Sequence, residues 1–157
     1  MSLFCKKADI PVGEMDMGNT SFTTTLVHGN NASVMVAERP GKYHSRPHTH
    51  DCEQLNLLMK GQLHVFMPDK HFLLNSGDVL RLPADVLHWA WNKSEEPCVL
   101  LEVHSPGLQS DPILKDLALG LFDASEKINH LGAPSNQFVD PASVDIEKIE
   151  SLKSIGG

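Results

Sequence analysis

The side chains best suited to chemistry fall in two clusters, one from Gly41 to Gly61 and one from Gly77 to Asn92. In the first, His48 and His50 stand two residues apart, and on a strand such residues point to one face, so the two imidazoles form a chelating pair. Gln54 opens the next strand-forming run and can turn a carbonyl oxygen toward the same interior. In the second cluster Pro83 and Asp85 turn the chain ahead of His88, which brings a third imidazole from a facing strand. Three neutral nitrogens and one amide oxygen suit one divalent transition metal, Fe, Ni, Zn, Mn or Cu, and leave coordination positions open for water or substrate. Glu53 takes the ligand role in place of Gln54 if the strand register slips by one. In a chain with nine histidines an H-x-H pair alone says little, and its spacing against Gln54 and His88 carries the reading.

Alternation from Gln54 sends Asn56 and Leu58 inward, and His88 carries Ala90 with it. Trp89 and Trp91 are left for the opposite face, as packing or partner contacts in preference to ligand stacking. Glu102 and His104 share a face with Leu100 on the last strand-forming run. Either they face solvent, as charged strand residues ordinarily do, or they reach the interior as a proton-transfer pair. Arg81 lies between Leu80 and Leu82. The inward reading, a bidentate clamp on a substrate carboxylate, is preferred to plain surface. Asn56, Tyr43 and His44 complete the candidate substrate contacts, with His64 and Met59 behind them. Cys52 lies beside the ligand loop without the features of a low-pKa thiol.

These side chains need a scaffold of strands. From Ser21 to Gly107, runs rich in Val, Leu, Thr and Phe are punctuated by Gly, Pro, Asn and Asp, the texture of an all-β sandwich or barrel. Strands are predicted over Phe22–Val27, Ser33–Ala37, Tyr43–His48, Gln54–Met59, Gln62–Phe66, Phe72–Leu74, Val79–Leu82, Leu87–Asn92 and Cys98–His104, with turns at Lys60-Gly61 and Asn75-Ser76-Gly77-Asp78. Residues 1–20 read as an N-terminal arm and residues 21–107 as the barrel. Residues 108–157 read as a C-terminal helical extension, packed on the barrel or on a partner. Asp111-Pro112 caps an apolar stripe of Ile113, Leu114, Leu117, Ala118 and Leu121, and a second amphipathic stretch spans Val144–Leu152.

The 157 residues, 41% hydrophobic and 21% charged, suit one domain with a real core. Net charge is -7, and no run of Lys or Arg offers a phosphate-tracking surface, so nucleic acid is not expected as a partner. No apolar stretch is long enough for a membrane span, and three widely spaced cysteines fit neither a disulfide framework nor a thiolate zinc site. The expectation is a cytoplasmic protein.

The two clusters resemble the motifs of the cupin family, G-x5-H-x-H-x3-E-x6-G and G-x5-P-x-G-x2-H-x3-N, in order and about sixteen residues apart. Gly77, Pro83, His88 and Asn92 all fall in place. Gly41 precedes His48 by six intervening residues where the motif has five, Asp85 stands in place of a Gly, and Gln54 replaces Glu, as in some cupins. The resemblance covers Ser21 to Pro106. It implies an all-β double-stranded β-helix, the jelly-roll cupin barrel with short C-terminal helices, holding one divalent metal on His48, His50, Gln54 and His88. A ligand set with Gln in place of Glu neutralises none of the metal's charge, which leaves a stronger Lewis acid and a better site for an anion. Glu102-Val103-His104-Ser105-Pro106 also looks like the last-strand segment of cupins that linearise unsaturated uronic acids, although Leu108 stands where those carry Arg.

The function expected is metal-dependent isomerase or lyase acid-base chemistry on a small carboxylate or sugar acid, with Glu102 or His104 moving the proton. The alternatives are an Fe(II) dioxygenase, a non-catalytic small-molecule-binding module, and a storage cupin stiffened by its metal. A homodimer is expected, with Trp89, Trp91 or the C-terminal helices in the contact.

Overall fold

Buried and less buried side chains alternate along the longest strands of this protein, and one face of each lines a common interior. The computed structural model describes residues 3–107, 118–121 and 136–156. Among them run β1 (Val12–Asp16), β2 (Ser21–His28), β3 (Ser33–Arg39), β4 (His48–Thr49), β5 (Glu53–Lys60), β6 (Gln62–Met67), β7 (Lys70–Asn75), β8 (Val79–Leu82), β9 (Trp89–Trp91), β10 (Cys98–Ser105), β11 (Ala118–Gly120) and β12 (Gln137–Phe138). A single short helix, α1 (Ile146–Glu150), follows. No helix among the described residues is long and apolar enough to cross a membrane.

The large sheet has the order β1-β2-β3-β10-β5-β8, with β11 pairing parallel to β2 beyond the end of β1. A second sheet, β7-β6-β9, faces it, and β12 pairs with β4 at the mouth. The result is the all-β jelly roll that the strand texture predicts. Interior positions come from strict alternation: Ser33, Met35, Ala37 and Arg39 on β3, Gln54, Asn56 and Leu58 on β5, and Cys98, Leu100, Glu102 and His104 on β10 are all buried. One part of the core gathers Met17, Phe22, Leu26, Met35 and Tyr43, and another gathers Leu58, Leu63, Val65, Leu74, Leu82 and Leu100.

Both predicted turns form. Gly61 joins β5 to β6 at φ 85°, where an added Cβ would come within 2.9 Å of Cys98 Cβ. At the next corner Gly77 takes φ 99°, and the Asp78 carboxylate accepts the Asn75 N–H at 2.7 Å.

Three expectations need revision or extension. The strand expected over Tyr43–His48 is discontinuous. Tyr43 O accepts the Asn92 N–H and the Ser45 N–H donates to Ala90 O, but the Ala90 N–H goes to Ser45 Oγ and Pro47 has no N–H to give. Only His48–Thr49 pairs regularly. Of the helix expected behind Asp111-Pro112, residues 111–117 lie outside the described residues, and Ala118–Gly120 is strand. The first twenty residues contribute β1 to the large sheet.

The C-terminal amphipathic stretch does fold as a helix, shorter than its pattern. The Asp145 side chain caps it by accepting the Lys148 N–H, and Ile149 buries against Phe66 and Trp89. The following residues return to the barrel, where Ile155 exchanges backbone hydrogen bonds with His71 and Leu73.

Candidate metal centre

Strand pairing brings the three imidazoles together. His48 and His88 lie opposite each other and exchange both backbone N–H···O bonds at 3.0 Å, which sets their rings 4.4 Å apart. His50, two residues beyond His48, stands 4.8 Å from the His88 ring. The turn before His88 is held by Asp85, whose N–H donates to His50 O at 2.8 Å and whose φ of 61° is the left-handed conformation for which the motif has glycine. One ring nitrogen from each of His48, His50 and His88 lies within 4.8 Å of the others, and all three side chains are buried.

Backbone carbonyls select which nitrogen each ring presents. His48 Nδ1 meets Arg46 O at 2.8 Å, His50 Nδ1 meets Cys52 O at 2.9 Å, and His88 Nδ1 meets Val86 O at 2.8 Å. A carbonyl only accepts, so each Nδ1 carries the proton and each Nε2 keeps a lone pair for the interior. Burial pushes His48 down to about 4 and His88 well below the ordinary imidazole range, so both are neutral and ready to ligate.

Gln54 sits on the same side. Its Nε2 donates to Asn56 Oδ1 at 2.7 Å and to Glu102 Oε2 at 3.1 Å, so its Oε1 is the atom 2.9 Å from His50 Nε2. A bare ring nitrogen and an amide oxygen are both acceptors, and two acceptors at that distance repel unless a cation lies beside them. Three histidines that could hold a divalent metal, with an amide oxygen aimed alongside, therefore fit such an ion well.

The cavity beside these donors measures about 50 Å³, several times what one water needs. Its lining includes polar Asn56, Glu102 and His104 and apolar Met15, Met17, Phe22 and Met35, with Met35 beside Glu102 in the strand register. Glu102 and His104 thus face the interior, with His104 Nε2 3.8 Å from Glu102 Oε2. His104 Nδ1 is buried without a hydrogen-bond partner, and burial holds the ring down at about 3. Tyr43 also lines the cavity. Cys52 is buried and pushed up to about 12, chiefly by desolvation, the reverse of an activated thiol.

Other candidates lie elsewhere. Arg81 points outward, 61% exposed, and pairs with Glu53, so it does not reach the cavity and Glu53 does not reach the histidines. The reason lies in alternation: Leu82 is fully buried and opposes Gln54, which leaves Arg81 on the outer face. His44 is half-buried outside the cavity, bonded to Glu150 Oε1 at 2.7 Å and stacked on Trp91. Trp89 is wholly buried within its own chain against Phe66, and its Nε1 donates to Glu150, so it offers no face to a partner. His64 bonds to His71 away from the cavity, and Met59 is exposed.

Arg39, which lines the cavity, had no place in the sequence expectations. Arg39 ends β3 pointing inward, 4.0 Å over the Phe22 ring, where its Nη1 donates to Tyr43 Oη at 2.7 Å and its Nη2 pairs with Glu102 Oε1. Extending the alternation Ser33, Met35, Ala37 by one step would have found it.

Residues 34–104 match the family model described as Cupin domain. No curated protein matches the chain. Among solved structures the fold is shared with an RmlC-like cupin from Shewanella frigidimarina NCIMB 400, at 17% identity and a TM-score of 0.57 over 66% of this chain and 89% of that one. KdgF from Halomonas sp. is similar at 16% identity and a TM-score of 0.56, over 66% of this chain and 92% of its own. The polyketide cyclase RemF from Streptomyces resistomycificus follows at 14% identity and 0.55, over 67% and 80%. Barrel, paired motifs and the match over residues 34–104 agree, and the barrel has the cupin fold.

Proposed function

We propose that this cupin is a metal-dependent enzyme that moves a proton on a small carboxylate or sugar acid, in isomerase or lyase chemistry. The observation that carries the reading is the closeness of two unlike sets of groups in one cavity: four lone-pair donors, from His48, His50, His88 and Gln54, and the buried pair Glu102 and His104. The metal, when bound, supplies Lewis-acid polarisation of a carbonyl or carboxylate oxygen.

The proton falls to His104. Its ring is neutral and one nitrogen lacks a partner, whereas both oxygens of Glu102 are engaged by Arg39 and Gln54. Asn56 and Tyr43 line the same cavity and orient the substrate, and Met15, Met17, Met35 and Phe22 exclude water from it. That apolar share of the lining suits the hydrocarbon body of a small carboxylate better than the hydroxyls of a sugar acid.

A homodimer is part of the proposal, with the outer face of the large sheet now the better candidate for the contact: Val34, Val36, Leu55 and Val79 are 38–64% exposed there. Elemental analysis followed by a screen of carboxylates and sugar acids tests the activity. Turnover should disappear in Gln54→Ala and His104→Ala. Turnover that requires O2 would move the protein to the dioxygenase reading, and tight binding of an acid without turnover would make it a binding module.

A further inference from the structure

The orientation of the Gln54 amide is set from outside the metal centre. Turned over, its oxygen would face Asn56 Oδ1 and the Glu102 carboxylate, and its NH2 would face the bare nitrogens of the histidines. The present orientation therefore depends on two acceptors, Asn56 Oδ1 at 2.7 Å and Glu102 Oε2 at 3.1 Å. Glu102 is itself fixed, because Arg39 holds its other oxygen while standing on the Phe22 ring and donating to Tyr43. We infer that Glu102, anchored by Arg39, is a positioning residue that keeps the Gln54 oxygen on the metal and passes its negative charge to that oxygen through the amide. This rests on the metal centre proposed above and not on its reaction.

The inference accounts for a neutral ligand set. Where the cupin motif puts a carboxylate on the metal, this chain holds its carboxylate one hydrogen bond further out, polarises the Gln54 amide with it, and balances it with a buried guanidinium. In metal-free protein a carboxylate at position 54 would meet Glu102 at hydrogen-bond distance, and the two charges would share Arg39. The two positions should therefore exchange their residues together.

Calorimetric titration of Zn(II) into metal-free protein tests this. Glu102→Gln leaves either Arg39 Nη2 or the Gln54 amide facing a donor, and should weaken Zn(II) by about 10- to 100-fold, as loss of an outer hydrogen-bond partner does. The exchange variant Gln54→Glu/Glu102→Gln conserves total charge and, once the Asn56 amide turns to donate its NH2 to position 54, every donor–acceptor match, and should bind within about threefold of the parent, well inside the range that outer-shell losses span. Asn56→Ala, which removes one acceptor without unpairing Arg39, should weaken binding several-fold and keeps the test open if Glu102→Gln fails to fold. Exchange protection of the Gln54 side-chain NH2 in metal-free protein, read by NMR, should fall in Asn56→Ala. An unchanged Zn(II) affinity in both single variants, or an exchange variant as weak as Glu102→Gln, overturns the inference. A parent protein that binds no Zn(II), or binds it equally in His48→Ala/His88→Ala, removes the metal centre itself.

Discussion

Arg39 and Glu102 form an ion pair whose side chains are 7% and 3% exposed, and Arg39→Met is the sharpest single perturbation of the cavity wall. Methionine keeps an unbranched stem over Phe22 but leaves a buried carboxylate without its cation. Removing one partner of a buried pair costs about 3–5 kcal/mol, because the remaining charge is uncompensated. Losing the hydrogen bond to Tyr43 costs about 1 kcal/mol more. A sulfur–aromatic contact with Phe22 returns about 0.3–1.5 kcal/mol, which leaves the total near the cost of the ion pair. In a domain of this size each kcal/mol lowers the melting temperature by about 2–4 °C, so the variant should melt about 6–20 °C lower. Urea unfolding of the metal-free protein, followed by circular dichroism, reads the free energy directly. Arg39→Met/Glu102→Leu removes both charges and should recover to within about 1 kcal/mol of the parent, since apolar replacement of a buried pair is often neutral. A loss below about 1 kcal/mol in the single variant, or a double variant no more stable than the single, refutes the reasoning.

Stability of the metal-free protein should also depend on pH. The folded-state pKa values of His48 (about 4) and His104 (about 3), with His88 likewise depressed, lie below the ordinary 6.5, so the unfolded chain binds more protons in between. Their contribution is complete above pH 6.5 and is lost as pH falls, at up to about 1.4 kcal/mol per pH unit for each imidazole. A urea midpoint that is flat between pH 7.5 and 5 contradicts this. Zn(II) at a hundredfold excess over its dissociation constant should stabilise the parent by about 2.7 kcal/mol and leave His88→Ala unchanged in a melting experiment. Arg81→Ala should alter stability by less than about 1 kcal/mol, because its pair with Glu53 is exposed, and should leave the substrate's KM untouched. Sedimentation should give a dimer for the parent and a monomer for Val36→Glu/Leu55→Glu if the outer sheet face is the contact; a parent monomer at micromolar concentration removes the dimer.

Local rules made much of this legible. Period-two alternation put His48 with His50 and sent Gln54, Asn56 and Leu58 inward, and residues with turn-forming chemistry marked Gly61 and Gly77. Where expectation failed, a rule was dropped or its partner lay far away in the chain. Arg81 was turned inward against its neighbours, although Leu80 and Leu82 claim one face together and leave Arg81 the other. Arg39 escaped because its strand was ended at Ala37, one alternation short. The assignment of the proton to Glu102 or His104 could not be narrowed without Arg39, whose bond to Glu102 spans 63 residues of chain. Helical periodicity behind Asp111-Pro112 yielded to pairing at Ala118–Gly120, where β2 still offered an edge beyond the end of β1.

Register decides which residue at 53 or 54 can approach the histidines. Gln54 opposes Leu82 on one side and His104 on the other, and its inward partners on β5 are Asn56 and Leu58. A slip of one residue would carry Leu58, now fully buried, to the outer face and bring Glu53, Leu55 and Leu57 inside. In metal-free protein Glu53 would leave Arg81 behind and arrive beside Glu102, where two carboxylates would share Arg39. The buried charges therefore demand the present register, which turns an amide, and not an acid, toward the histidines.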